Sequence, residues 1–454
     1  MGGISFPPVP LAQMATVLRH AGIPAYVVDA PAERLRTSEV VDRLTADDLL
    51  FCMSSPLSVE IDLPFLREAK ARAGARTVLF GAYPSFQPEK ALGHGEVDFI
   101  IRGEPELAAL ELAQAIRGAG LPAEDPIPGV GFKDRRGPVH PAGEARRPDL
   151  DSLPIADRTL LPDNRKYFNP VVRNARFTTA FTSRGCFGKC TFCSSPRFFR
   201  GKVRYRSPDS VLVELLAIQD AGYREVFFRD ELFTGDGKRL AVICEGMRKQ
   251  GLRLAWVCST RVDLVDAEMA KGMKSAGCHL VRMGVESGSQ SVLNRIRKGI
   301  TVEETRAAFH ACRKAGIDTH AHTMVGLPGE TREDFLRTVD LIREIRPTYL
   351  TMSICTPFPG TELFREIERG GAAAPKSYLA PNRRAGLHSV PLLNHWISDI
   401  PAPELESYLK EAYREFYFHR DYIRRQLLSA ASPARLLRKA RAGMMILSMV
   451  SRHG

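Results

Sequence analysis

Strand and helix patterns alternate about six times between residues 173 and 372, and this repetition restricts the fold more than any other feature of the chain. Each short run of β-branched or aromatic residues is followed by an amphipathic stretch that begins at a capping residue. Parallel strands need crossover helices of this kind. The pattern therefore predicts a partial parallel βα barrel over residues 173–372, with its chemistry at the carboxyl ends of the strands.

A second alternating series occupies residues 1–130 and predicts a doubly wound, Rossmann-like α/β domain. The series begins with a helix pattern, so we expect the usual first strand to be missing, through a late start site or a truncation. Residues 131–172 are rich in Pro, Gly, Asp and Arg and are predicted to form a linker. The strands predicted for the first domain are residues 24–29, 49–53, 76–80 and 97–101.

Residues 373–454 lose the alternation and are predicted to form a helical segment with a basic tail. A last helix is expected to start at Ser432 and Pro433, with an apolar stripe and a cationic face. Packing of this helix on the barrel is one interpretation. The alternative is peripheral contact with an anionic membrane, in which case the substrate would be lipid-like.

The formal net charge of +12 allows an anionic substrate or cofactor, a nucleic acid or a membrane surface as partner. No recognisable nucleic-acid-binding module is present, so we expect no nucleic-acid partner. The sequence contains no apolar run of about 18 residues and no secretory signal, which favours a cytoplasmic location. Nine cysteines, most of them isolated in apolar runs, fit a reducing compartment.

Three cysteines are grouped in one loop after the first predicted barrel strand: Cys186, Cys190 and Cys193. A tight loop with this C-x3-C-x2-C spacing can turn three thiolates towards one soft-metal centre. The nearby cations Lys189 and Arg184 favour the thiolate form. A zinc site usually takes four protein ligands, and no fourth Cys or His lies near in sequence. Structural zinc or an incidental cysteine cluster remains the alternative.

This loop, with an aromatic residue before its last cysteine, resembles the hallmark of the radical S-adenosylmethionine (SAM) superfamily. The likeness continues in four predicted strand ends, "WVCSTRVDL", "MGVESGS", "MVGLPGET" and "TPFPGTEL". It implies that the three cysteines hold a [4Fe-4S] cluster. SAM would chelate the fourth iron and be cleaved to methionine and a 5′-deoxyadenosyl radical. The residues that the resemblance places at SAM are Phe192, Asp230, Arg261, Glu286, Ser287 and Gly326.

Several of these residues also have a structural interpretation. Glu286 would accept hydrogen bonds from the ribose hydroxyls of SAM, or it would form only a surface ion pair. Arg261 would contact the SAM carboxylate. Asp230 would lie near the SAM amino group, or it would cap the next helix. Gly326 would let the backbone approach adenine, and it also suits a turn before a capped helix.

A sheet domain that precedes such a barrel resembles the cobalamin-binding subclass. The stretches that carry this likeness are "SFPPVPLAQMATVLRHAG", "FCMSSPLSVEID", "VLFGAYPS" and "FIIRGEPE". The resemblance places Ser54, Ser55, Gly81 and Gly103 near the corrin or its nucleotide tail. No Asp-x-His-x-x-Gly motif occurs, so no histidine is offered as a lower cobalt ligand. The alternative is a degenerate domain that only packs against the barrel.

Together these likenesses imply a cobalamin-dependent radical SAM methyltransferase. It would methylate an unactivated carbon or phosphorus centre of a small molecule, and a flavodoxin- or ferredoxin-type protein would supply electrons. One alternative is a non-methylating cobalamin-dependent cyclase or oxidoreductase. Another is a non-catalytic iron–sulfur or zinc protein. Methylthio transfer is disfavoured because the first domain contains no second group of cysteines.

Overall fold

The computed structural model describes residues 5–118, 127–134, 137–139, 143–370, 398, 400–428 and 443–444. These residues form a five-stranded sheet, a six-stranded sheet and a two-stranded ribbon. Helices cover both larger sheets. The α/β class predicted from the alternating patterns is therefore confirmed.

The N-terminal sheet has the strand order β1-β2-β3-β4-β5. The first three strands are parallel, and the last two form an antiparallel hairpin. The strands are Leu49–Met53 (β1), Arg76–Phe80 (β2), Phe99–Ile101 (β3), Val130–Asp134 (β4) and Gly137–Val139 (β5). The helices are Val9–His20 (α1), Ala30–Glu33 (α2), Thr37–Val41 (α3), Val59–Ala73 (α4), Ala82–Phe86 (α5), Pro88–Gly93 (α6) and Glu106–Arg117 (α7).

Both faces of this sheet are buried by helices. Successive strand residues point to opposite faces, so Val78 and Phe80 pack with residues of α1 and α7. Leu79, between them, packs with residues of α4 and α6 on the other face. The carboxyl ends of β1 to β3 are left at one edge of the domain, facing the barrel.

Two features of this domain differ from the sequence-based predictions. Residues 24–29 do not form a strand: they run without regular structure, and Tyr26 is 56% exposed. Their alternating pattern suits a half-buried strand, but they do not pair with either sheet. The sheet also continues past residue 130, because β4 and β5 lie in the segment predicted as linker. Gly and Pro there occur within a hairpin.

The barrel sheet contains six parallel strands in the order β13-β12-β11-β10-β9-β6. These are Phe177–Ala180 (β6), Glu225–Phe228 (β9), Ala255–Arg261 (β10), Cys278–Glu286 (β11), Asp318–Val325 (β12) and Tyr349–Ile354 (β13), and the ribbon pairs Ser183–Arg184 (β7) with Arg204–Tyr205 (β8). The helices are Ser195–Phe198 (α8), Pro208–Asp220 (α9), Gly237–Lys249 (α10), Ala267–Ser275 (α11), Gln290–Arg295 (α12), Val302–Lys314 (α13), Arg332–Ile345 (α14) and Glu362–Arg369 (α15). The predicted partial βα barrel is confirmed.

The strands bury different residues on their two faces. The large core between the sheet and its helices contains Val226, Phe228, Val281 and Met283, among other residues. The opposite, inner face carries a smaller apolar cluster at the amino ends of the strands. Its members are Phe177, Phe227, Val257 and Leu280, with Phe6 and Tyr349 packed beside them.

Two C-terminal helices follow the barrel, Ala402–Tyr417 (α16) and Arg420–Leu428 (α17). Helix α16 covers the last strand, β13: the hydroxyl of Tyr413 accepts the N–H of Met352, and that of Tyr417 accepts the N–H of Leu350, both at 3.0 Å. Backbone groups at a sheet edge are thereby satisfied by side chains. The helix predicted to start at Ser432 lies outside the described residues. Within the described chain, no helix is long and apolar enough to cross a membrane.

Candidate functional site

The cysteine loop lies at the carboxyl end of the barrel and starts directly after β7. Gly185 has a φ of +110°, and a Cβ there would lie 2.0 Å from the carbonyl oxygen of Lys202, so the turn into the loop requires glycine. The N–H of Thr191 donates to Ile296 at 3.0 Å, and its carbonyl accepts the N–H of Leu363 at the same distance. The loop is therefore anchored to the barrel between its second and third cysteines.

The three predicted ligands, Cys186, Cys190 and Cys193, are half-buried and act on one another electrostatically. Burial raises the pKa of all three thiols. For Cys190, the cations of Lys298 and Arg261 oppose that rise. Bound iron favours the thiolate form, and these two cations stabilise its negative charge.

Among the residues that the structure describes, no group of three or more His, Cys, Asp and Glu side chains is arranged to hold one metal ion. An iron–sulfur cluster places separate iron atoms against separate cysteines, so its ligands need not converge on one point. Three thiols in one loop are a donor set that suits such a cluster. The sequence-based assignment of these ligands stays a prediction.

Glu286 ends β11 in a left-handed conformation, with a φ of +63°. The pairing register with β12 shifts at this point, so the chain bulges and the carboxylate turns inward. Its Oε1 accepts a hydrogen bond from Nζ of Lys298 at 2.6 Å, and both residues are buried. Such strained backbone often occurs at functional sites. The surface ion pair considered for Glu286 is wrong, since its partner is buried.

Lys298 was missed in the sequence. Its ammonium lies 5.9 Å from the centre of the Phe192 ring and acts on Cys190. Burial works to lower the pKa of Lys298, but Glu286 and Cys190 outweigh it, and the net shift is upward. Lys298 therefore stays charged and joins the cysteine loop to the strand end of Glu286. The signal available was a lysine between two apolar residues, Ile296 and Ile300, ahead of a capped helix.

Arg261 ends β10 and lies against the cysteine loop, where a Cβ on Gly188 would be 3.5 Å from its Nη1. It donates to both carboxylate oxygens of Asp263 at 2.9 and 3.0 Å, and to the carbonyls of Lys298 and Gly299 at 2.7 and 2.9 Å. A guanidinium has five N–H groups, so one remains for a SAM carboxylate. Its predicted SAM contact is compatible with this geometry and stays a prediction.

Asp230 and Ser287 are held by the protein itself. Asp230 accepts the N–H and hydroxyl of Thr182 at 2.9 and 2.6 Å and the hydroxyl of Ser183 at 2.5 Å. It does not cap the next helix, because Asp236 occupies that position. Ser287 is fully buried with its hydroxyl 3.2 Å from that of Thr338 on α14. Both residues position strand ends, and their predicted contacts with SAM stay predictions.

Gly326 and Phe192 flank the same end of the barrel. Gly326 has a φ of +76°, and its N–H donates to Glu330 at 2.6 Å, so the predicted turn before α14 is present. Leu405 of α16 packs so close to it that a Cβ would lie 3.1 Å away. Phe192 is partly buried beneath Lys298.

A partly open cavity of about 200 Å³ lies between the N-terminal domain and the barrel. Glu231 faces it and accepts the N–H of Gly185 at 3.1 Å, so this carboxylate links the cavity wall to the start of the cysteine loop. Burial raises the pKa of Glu231. The lining includes α1, the carboxyl ends of β1 to β3, Leu150, residues 153–155, β7 and Phe181, Phe198 and Phe199.

Of the residues predicted to approach a corrin, Gly81 and Gly103 line this cavity. Gly81 has a φ of +107°, and a Cβ would lie 2.6 Å from the carbonyl oxygen of Ser54, which is buried beneath it. The backbone of Ser55 donates to the Ser58 hydroxyl at 3.0 Å, in the turn before α4. The two glycines thus face the cavity, Ser54 lies against Gly81, and Ser55 belongs to the turn before α4.

Buried ion pairs join the two domains next to the cysteine loop. Arg184 of β7 binds Glu104 and Glu106 at 2.6 Å each, and Arg204 of β8 also binds Glu104. Both carboxylates belong to the N-terminal domain and are under 5% exposed. Because Arg184 lies two residues before Cys186, domain docking and loop position depend on the same side chain.

The profile of the Radical SAM superfamily matches residues 181–342. A Pyrococcus horikoshii protein described as an uncharacterized methyltransferase is 30% identical over 426 residues, covering 91% of this chain and 88% of that protein. The cytidylyl-2-hydroxyethylphosphonate methyltransferase of Streptomyces wedmorensis is 26% identical over 427 residues, 82% of this chain and 80% of the enzyme.

Among solved structures, the fold is similar to that of TsrM, a radical SAM methyltransferase from Kitasatospora setae solved with cobalamin and a [4Fe-4S] cluster bound. The TM-score is 0.67 at 20% identity, over 84% of this chain and 79% of that chain. The profile match includes the cysteine loop and the strand ends that carry Arg261, Glu286 and Gly326. The chain belongs to the radical SAM superfamily.

Proposed function

We propose that the protein is a cobalamin-dependent radical SAM methyltransferase that acts on a carbon or phosphorus centre of a small molecule. One observation carries this proposal. The start of the cysteine loop is hydrogen-bonded to Glu231, which lines a cavity together with the glycine-containing strand ends of the N-terminal sheet. The methyltransferase descriptions of the two relatives support the reaction class.

Each part of the barrel site would have a distinct task. Cys186, Cys190 and Cys193 would hold the [4Fe-4S] cluster, which when bound supplies the electron that cleaves SAM. Lys298 and Arg261 would stabilise negative charge at the loop, since both cations act on Cys190. Glu286, fixed by Lys298 at 2.6 Å, would orient SAM through hydrogen bonds to its hydroxyl groups.

The cavity between the domains would hold cobalamin, which when bound supplies a carrier for the methyl group. Gly81 and Gly103 fit this task because backbone without side chains can approach a wide, flat ring. The apolar lining, including Phe80, Phe198 and Phe199, would exclude water from the corrin. The ion pairs of Arg184 would keep the two walls of the cavity in register.

The proposed enzyme also needs a reductant and a substrate. A flavodoxin- or ferredoxin-type protein would reduce the cluster. An anionic small molecule fits the net charge of +12. A lipid-like substrate would depend on the basic tail, which lies outside the described residues.

The test is product analysis with anaerobically purified, reduced protein loaded with both cofactors. We expect 5′-deoxyadenosine and S-adenosylhomocysteine, because the proposed enzyme consumes SAM as radical source and as methyl donor. A non-methylating cyclase or oxidoreductase would release 5′-deoxyadenosine without S-adenosylhomocysteine. The matched control is Cys190→Ala, which should release neither compound. Absence of both products from the wild-type protein would contradict the proposal and favour a non-catalytic iron–sulfur or zinc protein.

A further inference from the structure

Two arginines project into the interior of the barrel, above the apolar cluster on its inner face. Arg229 follows β9, and its guanidinium carbon lies 4.5 Å from the Phe6 ring centre and 5.8 Å from that of Phe227. Arg282, in the middle of β11, lies 5.3 Å from the same Phe227 ring. The two cations therefore share one aromatic ring. Their mutual repulsion contributes to lowering the pKa of Arg282.

Neither arginine forms an ion pair with a carboxylate in the part of the chain that the structure describes. By contrast, Arg184 and Arg261, which lie against the cysteine loop, each have an acidic partner. The acid that acts on Arg229 is Glu231, but it lies beyond ion-pair distance and accepts the N–H of Gly185.

The surroundings make this arrangement costly. Burial lowers the pKa of both guanidiniums, that of Arg282 to about 10. Each nevertheless keeps solvent contact, since Arg229 is exposed and Arg282 partly exposed, as expected for side chains that line an open interior. Contacts with aromatic rings stabilise each cation only modestly. That contribution does not remove the repulsion between the two cations, of which Arg282 is the more deeply buried.

Polar groups on neighbouring strands lie at the same level. Arg282 donates to the Ser259 hydroxyl at 3.4 Å, and these residues are paired in the register of β10 and β11. Arg282 is also paired with His320 on β12. Two residues beyond Ser259 and Arg282, Arg261 on β10 is paired with Gly284 on β11. Gly284 lies against the Glu286–Lys298 pair. A group held by Arg282 would therefore lie directly below the expected position of SAM.

We propose that Arg229 and Arg282 form an oxyanion site that binds a phosphate or phosphonate group of the substrate inside the barrel. The inference deepens the proposed function and rests on it for the identification of the anion as substrate. Two guanidiniums match the charge of a dianion, and their N–H groups suit phosphate oxygens. A monocarboxylate would neutralise only one of them.

The test is isothermal titration of inorganic phosphate into the full-length, anaerobically purified protein. We expect saturable binding that weakens about tenfold or more in Arg282→Gln and in Arg229→Gln, since each loses a charge-assisted contact. Arg282→Lys should recover part of the affinity. Arg224→Gln, an exposed arginine just before β9, is the matched control and should bind phosphate within about twofold of the wild-type protein.

A second readout does not depend on the variants being folded. Low millimolar phosphate should raise the melting temperature of the wild-type protein saturably, whereas the general stabilising effect of this anion would only grow steadily with its concentration, and acetate should give no saturable rise. Equal effects of acetate and phosphate would overturn the assignment of a dianion. Equal weakening in Arg224→Gln would overturn the site.

The same proteins are assayed for 5′-deoxyadenosine and for SAM binding. A variant that loses SAM affinity while phosphate binding is unchanged would assign the arginines to SAM and overturn the inference. Phosphate binding that depends on Arg229 and Arg282, in a protein that never cleaves SAM, would support the oxyanion site and contradict the proposed function instead.

Discussion

Lys298 and Glu286 form a buried ion pair, 2.6 Å long, whose ammonium also acts on Cys190 in the cysteine loop. The pair connects a strained strand end to the residues expected to hold the cluster. Gly284 packs closely against this ion pair, since a Cβ there would lie 2.4 Å from Glu286 and 2.6 Å from Lys298. The geometry of the SAM side of the site thus depends on two opposite charges that are both buried.

Removal of the lysine should be far more harmful than removal of the whole pair. Lys298→Met leaves the Glu286 carboxylate buried without its partner, which should lower the free energy of unfolding by about 3–5 kcal/mol. The double variant Lys298→Met with Glu286→Gln should recover most of that loss. Urea unfolding measures the free energy of unfolding of the single and the double variant. Arg297→Met, which removes an exposed pair with Glu362, should cost less than about 1 kcal/mol. Equal losses in the single and double variants would exclude the coupling.

Substitution of any loop cysteine should remove the cluster. Cys186→Ala, Cys190→Ala and Cys193→Ala should each lose iron, acid-labile sulfide and visible absorption after anaerobic reconstitution, because three thiolates are the minimum ligand set offered by the loop. Cys52→Ala, a partly buried cysteine of the N-terminal sheet, is the control and should retain all three signals. Retention of a full cluster by a loop variant would show that the ligands lie elsewhere.

The interdomain arginine should affect both stability and cluster retention. Arg184→Met leaves Glu104 and Glu106 buried without this cation, so the expected loss in unfolding free energy is about 3–5 kcal/mol. The purified variant should also contain less iron, because the cysteine loop starts beside it. Arg200→Met, which breaks an exposed pair with Glu144, should change stability by less than about 1 kcal/mol. If Arg184→Met were destabilised but kept a normal iron content, the position of the cysteine loop would not depend on domain docking.

A methyl group at Gly81 should reduce cobalamin binding. The added Cβ would lie 2.6 Å from the Ser54 carbonyl oxygen, on a residue with a φ of +107°, so the cavity wall must shift. The corrin content of Gly81→Ala, measured by absorption after loading, should fall several-fold. Gly95→Ala has no atom within 4 Å of the new Cβ and should bind normally. If Gly81→Ala bound as much cobalamin as the wild-type protein, this strand end would not be part of the cobalamin site.

Because the pKa of the Glu330 carboxyl is raised, we expect the free energy of unfolding to depend on pH. Burial raises its pKa from 4.5 to about 7. Between these values the folded chain keeps a proton that the unfolded chain releases, so stability falls as pH rises from about 4.5 to 7. The contribution is on the order of 3 kcal/mol. Urea unfolding of Glu330→Gln should show a shallower decline over this window, and an unchanged slope would assign the effect to other groups.

The cysteine loop was predictable from sequence because its three ligands are contiguous and no tertiary contact is needed to group them. The barrel was predictable for a similar reason, since each βα unit is a local pattern repeated along the chain. The strand predicted at residues 24–29 was wrong because a strand exists only where another strand pairs with it. That pairing is not a local property of the sequence.

Residues that act through tertiary contacts were missed. Lys298 is twelve positions from Glu286, and only the bulge at the end of β11 turns the two side chains together. Arg282 carried a usable signal, since a charged residue between Val281 and Met283 interrupts an apolar strand. Arg229 offered less, because an arginine just after a strand is ordinarily exposed.

We propose that one chain holds both an iron–sulfur cluster at the cysteine loop and a corrin in the cavity that Glu231 lines. The most direct measurement is the UV-visible spectrum of protein purified anaerobically from cells supplied with cobalamin. We expect an iron–sulfur absorption shoulder together with corrin bands, the first lost in Cys190→Ala and the second reduced in Gly81→Ala. A cluster signal without corrin bands would contradict the cobalamin assignment, and the absence of both signals would contradict the account as a whole.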